Sequence, residues 1–181
     1  YYTDLQKYKK MSSNSGNSKP IGLNPYFDWD GEAGTASGHY FNQDLWAAKK
    51  IFEEDPTTHF DIASRIDGFV SHLLVFTEVN YVDIRPLESE WDNLNFIQDD
   101  ATEMKKFDDN SLDSVSSLHA AEHFGLGRYG DPIDPRGSMK FMRSLQRVLA
   151  PSGKLYFSVP VGEERVEFNA HRVFSPHTIL D

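Results

Sequence analysis

His119, Glu122 and His123 stand within one five-residue stretch, and His171 follows further along. Imidazole exchanges protons near neutral pH, so these rings could serve as the general base for a hydroxyl or amine. Each also reads as a packing or capping residue held by a hydrogen bond. His171, inside FNAHRVF, either reaches the same cleft or caps a following helix. The expectation is that no more than one of His123, His119 and His171 is catalytic. HAAEH (119–123) also spells His-x-x-Glu-His, the helix signature of an inverted zinc peptidase. That signature needs a long helix, whereas Gly125, Gly127 and Gly130 follow at once. No metal site is therefore assigned, and a zinc hydrolase ranks third among the readings.

A second set of groups is acidic. Asp83 lies 22 residues after Asp61, about the spacing at which an acidic residue accepts hydrogen bonds from ribose hydroxyls in nucleotide-binding α/β folds. A solvated aspartate at a strand end fits the spacing equally well. The turn ASRIDG (63–68) carries one glycine, Gly68. A dinucleotide fingerprint needs several for the backbone to approach a pyrophosphate, so NAD and FAD are disfavoured.

These groups need a frame. HFDIAS (59–64), VNYVDI (79–84), LNFIQDD (94–100), LDSVSSLHA (112–120) and GKLYFSVPV (153–161) read as strands. DGFVSHLLVF (67–76) and MKFMRSLQRVLA (139–150) read as helices. The second has Met139, Met142, Leu145 and Leu149 on one side and is stopped by Pro151 and Gly153. Strands apolar on both faces that alternate with helices imply right-handed crossovers and a covered, doubly wound, mostly parallel α/β sheet. In such a sheet ligands bind beyond the carboxyl ends of the strands, near the reversal of strand order. That places the chemistry in ASRIDG, DIRP (83–86), DDAT (99–102), HAAEH and PVGEER (160–165). Ahead of the sheet, Phe41, Leu45, Ala48 and Phe52 recur at helical spacing, predicting a leading helix over 37–55 capped near Ser37 and ended by Asp55-Pro56. No repeat is visible.

With 28 acidic and 18 basic side chains, a net charge of −10 and a pI near 5.1, the chain is not expected to bind nucleic acid. A 39% hydrophobic and 13% aromatic content suffices for a core despite a mean hydropathy of −0.54. Without cysteine, disulfides, thiolate zinc sites, iron–sulfur clusters and cysteine nucleophiles are excluded. No run nears the roughly 18 apolar residues of a spanning helix, and Tyr1–Lys10 is polar, so a soluble, cytoplasmic protein with no membrane partner is expected. The chain begins at Tyr1, so either end could lie inside a longer protein. Residues 1–36, with KKMSSNSGNS (9–18), Pro20, Gly22 and Pro25, read as an extended or flexible arm before an α/β domain over 37–181. The clustered rings Tyr26, Phe27 and Trp29 are expected to dock on another surface.

The segments 94–124 and 139–160 together resemble the second half of a class I S-adenosylmethionine-dependent methyltransferase. The features that carry this are Asp100-Ala101, the run Phe107-Asp108-Asp109-Asn110-Ser111-Leu112-Asp113, Glu122-His123, and Arg147-Val148-Leu149-Ala150-Pro151-Ser152-Gly153. Val82-Asp83-Ile84 is similar to the segment whose acidic residue holds the cofactor ribose. The resemblance covers roughly 59–161, with a weaker echo in HRVFSPHTI (171–179). It implies the Rossmann-like class I methyltransferase fold, S-adenosylmethionine as cofactor and S-adenosylhomocysteine as product. It also implies cofactor contacts from Asp61, Ala63, Ser64, Arg65 and Gly68 after the first strand, and from Asp83, Ile84, Asp100, Ala101 and His119 after later ones. The family's alternating glycines fall here on Ala63, Arg65 and Asp67. A Ser-Arg-x-Asp-Gly block in their place (64–68) is similar to a little-characterised branch. Arg65 could pair with the methionyl carboxylate of the cofactor, with a phosphate of a sugar-nucleotide substrate, or with Asp67 or Asp83.

GLGRYGDPIDPRG (125–137) reads either as a substrate lid, with Arg128, Tyr129 and Arg136 sensing the acceptor, or as an ordinary surface connection. The leading functional expectation is methyl transfer from S-adenosylmethionine to a small polar acceptor, with a sugar hydroxyl as the named class. The alternative is a catalytically inactive methyltransferase-like binding or interaction domain, favoured by the missing glycines. The family usually closes its sheet with two further strands, one antiparallel, and the sequence stops at Asp181 before either. An uncovered edge invites pairing with another chain, so either the sequence continues beyond Asp181 or a neighbour supplies the edge, as in a homo-oligomer.

Overall fold

The computed structural model describes residues 1–15, 26 and 31–180, and the chain divides into two compact units, Tyr1–Ala36 and Ser37–Asp181. In the first unit Tyr2–Ser15 forms helix α1, not extended chain. Leu5, Gln6, Lys7, Lys9 and Lys10 lose little rotamer freedom in a helix, and Asp4 sits in the first turn, facing the positive end of the dipole. Tyr26 is exposed, while Phe27 and Trp29 lie outside the described residues.

The second unit opens with α2 (His39–Glu54). Its N-cap is Gly38, with no side-chain bond, rather than Ser37. Asp55 closes it in the left-handed region, φ 47° and ψ 55°, which takes the residue before Pro56 out of the right-handed helix. The buried stripe is Asp44, Ala47, Ala48 and Ile51, so the expected stripe of Phe41, Leu45, Ala48 and Phe52 is rotated: Phe41, Leu45 and Phe52 are exposed. The two alanine methyls allow α2 to pack closely in one cluster with Phe69, Val70 and Leu73, where large rings would hold it off.

The sheet is built from β1 (His59–Ile62), β2 (Val79–Asp83), β3 (Leu94–Gln98), β4 (Leu112–Leu118) and β5 (Leu149–Ser158), in the order β3-β2-β1-β4-β5 with every neighbouring pair parallel. This is the expected doubly wound fold. Between β1 and β2 the helix expected over 67–76 is shorter, a π-helical turn Ile66–Val70 running into α3 (Ser71–Leu73). Helix α4 (Gly137–Val148) buries Phe141, Ser144, Leu145 and Val148 and leaves Met139 exposed. It runs directly into β5, whose register with β4 jumps between Leu112 and Ser114 to absorb Pro151–Gly153. Two strands of three residues each, too short to be legible in the sequence, follow as an antiparallel hairpin, β6 (Arg165–Glu167) and β7 (His171–Val173), before α5 (Pro176–Leu180). None of the described helices is long and apolar enough to cross a membrane.

Side-chain alternation along the strands makes two cores. Tyr81 and Leu118 join the α2–α3 layer, while Ile62, Val82 and Val115 join Met104, Phe141 and Leu145 on the α4 side. Between them runs a buried polar chain. His59 Nδ1 and Nε2 lie 2.8 Å from Ser114 Oγ and Ser116 Oγ, and the Ser116 hydroxyl donates to Asp61 Oδ2 at 2.5 Å. Burial pushes the Asp61 carboxyl up to about 6 and the His59 imidazole down to about 3. The arginine of the resemblance has a structural task. Arg147 donates to the carbonyls of Glu103, Met104 and Phe107 and to Asp109 Oδ1, stapling α4 to the segment that leads into β4.

Two outcomes follow from these contacts. Asp61 carries a folded pKa raised from 3.8 to about 6, so its contribution favours the fold below pH 4 and is lost as pH rises through 6. Asp61→Asn removes that dependence. Its stability relative to the native chain should improve by about 3 kcal/mol between pH 4 and pH 7 in chemical denaturation. Arg147→Lys keeps the charge but loses the planar fork, and should cost about 2 kcal/mol in the same assay.

Candidate active site

A cavity of about 1070 Å³ opens at the carboxyl ends of the strands, where the order reverses between β1 and β4. Its first wall is the turn after β1. Ala63, where the resemblance expects a glycine, takes the glycine-like conformation, φ 57°, and donates its N–H to Val82 O. Ser64 locks the turn: its N–H donates to Asp61 Oδ1, its Oγ accepts from the Leu118 N–H, and its carbonyl accepts from Tyr81 Oη. Asp61 itself is fully buried behind this wall and does not line the cavity; it holds the turn rather than facing a ligand. Gly68 is also absent from the lining. It lies in the π turn, where an added Cβ would sit 3.0 Å from Asp44 Oδ2. Arg65 reaches the rim but spends its guanidinium on Asp67, at 2.6 and 3.0 Å.

Asp83, at the end of β2, faces the cavity with both oxygens engaged. Oδ1 accepts from the backbone and Nε of Arg85, while Oδ2 accepts from Arg85 Nη2 and lies 3.2 Å from the Tyr81 hydroxyl. Burial alone would raise this carboxyl, but the Arg85 hydrogen bonds and charge outweigh it and hold it below the ordinary value. Burial and the Asp83 charge push the Tyr81 phenol up. The Arg85 guanidinium also lies 4.3 Å over the Tyr129 ring. Ile84, Asp100 and Ala101 complete this side, with Asp100 Oδ1 accepting from the Thr102 N–H and hydroxyl.

The opposite wall follows β4. His119 turns sharply, φ 53°, and its Nδ1 donates to Glu122 Oε1 at 3.0 Å. The residues after it form turns rather than a helix, so the zinc-peptidase signature lacks its scaffold. Among the described residues no three His, Asp or Glu side chains converge as metal ligands. His123 Nδ1 donates to Ala170 O at 2.6 Å. Burial drives its imidazole down, against the pull of Glu122. His171, on β7, lines the same cavity, as do Arg128 and Tyr129, while Arg136 does not. The 125–137 segment is firmly built. Asp131 accepts from the N–H groups of Gly125, Gly127 and Tyr129, and a Cβ on Gly125 would meet Asp134 O at 2.0 Å. The buried Arg172 holds it from beneath through Phe124 O and Pro135 O.

Sequence reasoning missed Tyr81 and Arg85, although each stands two residues from Asp83 and a strand's period of two was the available signal. It also missed His39, Tyr40 and Asp44 of α2, which line the cavity because the helix is rotated from its expected face.

Five parallel strands around a crevice of this kind define the Rossmann-like class I methyltransferase fold, and solved structures agree. A provisionally named sarcosine dimethylglycine methyltransferase from Galdieria sulphuraria has a TM-score of 0.51 at 19% identity, over 67% of this chain and 47% of that one. The chain thus spans about half the length of the Galdieria protein. The 1,6-didemethyltoxoflavin-N1-methyltransferase of Burkholderia thailandensis, solved with 1,6-didemethyltoxoflavin and S-adenosylhomocysteine, has a TM-score of 0.54 at 15% identity, over 98% of this chain and 74% of that one. Residues 71–179 match the family described as Caenorhabditis protein of unknown function, DUF268, and the chain belongs to that family. No curated protein matches it.

Ala63 bears a Cβ in a conformation that costs an L-residue about 1 kcal/mol. Ala63→Gly, which in an ordinary loop would destabilise, should here raise stability by about 0.5–1 kcal/mol in chemical denaturation, with no change in fold by circular dichroism.

Proposed function

We propose that residues 37–181 bind S-adenosylmethionine in this crevice and methylate a small polar acceptor, with a sugar-like hydroxyl as the first class to test. The observation that carries this is Asp83: a carboxylate at the end of β2, facing a cavity large enough for a cofactor and an acceptor together. The residues present fit the group. Asp83 would receive ribose hydroxyls, Ile84 and Ala101 would flank the base with Asp100 beside them, and the turn at Ala63 and Ser64 would bring backbone to the methionyl end. When bound, the cofactor supplies a methyl group already activated on sulfonium sulfur. The chain's own task is to orient the acceptor, exclude water and take its proton. His119 is the base in this proposal because Glu122 accepts from its Nδ1, which leaves Nε2 free to receive a proton. His123 and His171 stand in the same wall.

One observation favours the second reading, a binding domain without catalysis. A carboxylate offers about four acceptor positions, and Arg85 with Tyr81 fills those of Asp83. Ribose must therefore displace Arg85. For partners beyond the small molecule, β3 and β5 are the outer strands of the sheet among the described residues, and an outer strand can pair with a second copy of the chain, which sedimentation would reveal.

Calorimetric titration with S-adenosylmethionine and S-adenosylhomocysteine decides between the readings. Binding to the native chain is expected, lost in Asp83→Ala and tightened about tenfold in Arg85→Ala, equivalent to about 1.4 kcal/mol. No binding to a folded native chain or to Arg85→Ala would leave the non-catalytic domain.

A further inference from the structure

Among the described residues four arginines line the cavity, Arg65, Arg85, Arg128 and Arg165. Three are spent on carboxylates two residues away, Asp67, Asp83 and Glu167. Arg128 is the exception: no described carboxylate lies within ion-pair distance of it, in a chain whose net charge is −10. The acidic groups on its own stretch of chain are engaged elsewhere, Glu122 with His119 and Asp131 with the N–H groups of Gly125, Gly127 and Tyr129. Arg128 is nonetheless held in place. Its Nη1 donates to Ala170 O at 3.0 Å, the carbonyl that also accepts from His123 Nδ1 at 2.6 Å. The guanidinium carbon lies 5.1 Å from the centre of the Tyr129 ring. A guanidinium has five N–H donors. The hydrogen bonds of Arg128 engage Nη1 alone and leave Nε and Nη2 without a partner among the described residues. The Tyr129 ring also takes Arg85, at 4.3 Å, so two like charges share it. Asp83 offsets the charge of Arg85, and no described carboxylate offsets that of Arg128.

We propose that Arg128 receives an anionic group of the acceptor, a phosphate monoester or a carboxylate, so that the substrate is a hydroxyl compound that carries a negative charge. This rests on the methyltransferase reading for the reaction, and on the contacts of Arg128 for the charge. The planar fork of a guanidinium matches the paired oxygens of either anion. The edge formed by Nε and Nη2 presents two parallel donors, and it is the edge by which Arg65 holds Asp67 and Arg85 holds Asp83. On Arg128 that edge is open. Tyr129 and Ala170 O orient the guanidinium beforehand, so little rotamer freedom is lost when the anion docks. A neutral ligand offers no such gain, because water already serves the free donors of an exposed side chain. The cofactor's own carboxylate would have a different place, at the turn of Ala63 and Ser64.

The test uses the full chain labelled with nitrogen-15 in arginine, in which each Nε–H gives one resonance and that of Arg128 is the one lost in Arg128→Lys. The chain is titrated with methyl phosphate, with acetate and with neutral ethylene glycol at constant ionic strength. The Arg128 resonance should respond to one or both anions at about tenfold lower concentration than those of Arg65 and Arg165, which must first give up a carboxylate, and should not respond to ethylene glycol. The anion that acts at the lower concentration identifies the group as phosphate or carboxylate. Equal responses from the three arginines would mean general screening and would overturn the proposal, as would no response from Arg128. A response that saturating S-adenosylhomocysteine abolishes would assign Arg128 to the carboxylate of the cofactor and overturn it too. The two readings fail separately. S-adenosylhomocysteine binding without a selective response at Arg128 would leave the methyltransferase reading and remove the anion site. A selective response in a chain that does not bind S-adenosylhomocysteine would remove the methyltransferase reading and support the anion site.

Discussion

The fold depends on a buried polar column that joins β1 to β4 at the reversal of strand order. His59, Ser114, Ser116, Asp61, Ser64 and the Leu118 N–H form it, and its members satisfy one another across a gap that no crossover helix spans directly. Two parallel strands paired at only Phe60–Val115 and Asp61–Ser116 have few ladder bonds of their own. The side chains supply the rest, and they do so in low dielectric, where a satisfied network is rigid and a broken one is expensive. The crevice opens there because the connections after β1 and β4 lead to helices on opposite faces of the sheet, and it keeps its shape because the column ends in the turn that walls it.

That turn also shows how a residue bearing a side chain can hold a glycine-like backbone conformation. Ala63 accepts the left-handed conformation at some cost, and Asp61 and Ser64 offset it with three hydrogen bonds. At the lip Arg65 turns its guanidinium to Asp67, so this rim charge is already paired.

The sheet was legible because its strands are apolar on both faces and its helices are periodic, and the location of the crevice followed from topology alone. Elements decided by tertiary fit were not legible. On α2 the large rings promised burial, but two alanines and Ile51 packed closer and won the interior. The β6–β7 hairpin has too few residues to carry a pattern. Of the candidate site, Asp83 and the histidines could be named from their places after strands. The saturation of Asp83 by Arg85 and Tyr81, and the unpaired oxygen of Glu122, depend on rotamers and on neighbours distant in sequence.

The charges around the crevice fall into two kinds with different consequences. At the rim, Arg65–Asp67, Asp83–Arg85 and Arg165–Glu167 each join residues two apart in the chain, a spacing that puts both side chains on one face of an extended segment. Exposed pairs of this kind contribute little to stability, so a charged ligand can exchange for one partner at small cost. Asp83 is the exception, since its own carboxylate is buried and only Arg85 is half exposed. Releasing that arginine requires a ligand that returns hydrogen bonds to Asp83, as a pair of hydroxyls does. At the floor Glu122 is buried and holds His119 through Nδ1, with its other oxygen left without a hydrogen bond among the described residues. Rim and floor therefore differ in kind: at the entrance exposed charges can exchange partners at small cost, whereas the floor is set by buried hydrogen bonds that a ligand cannot exchange so cheaply.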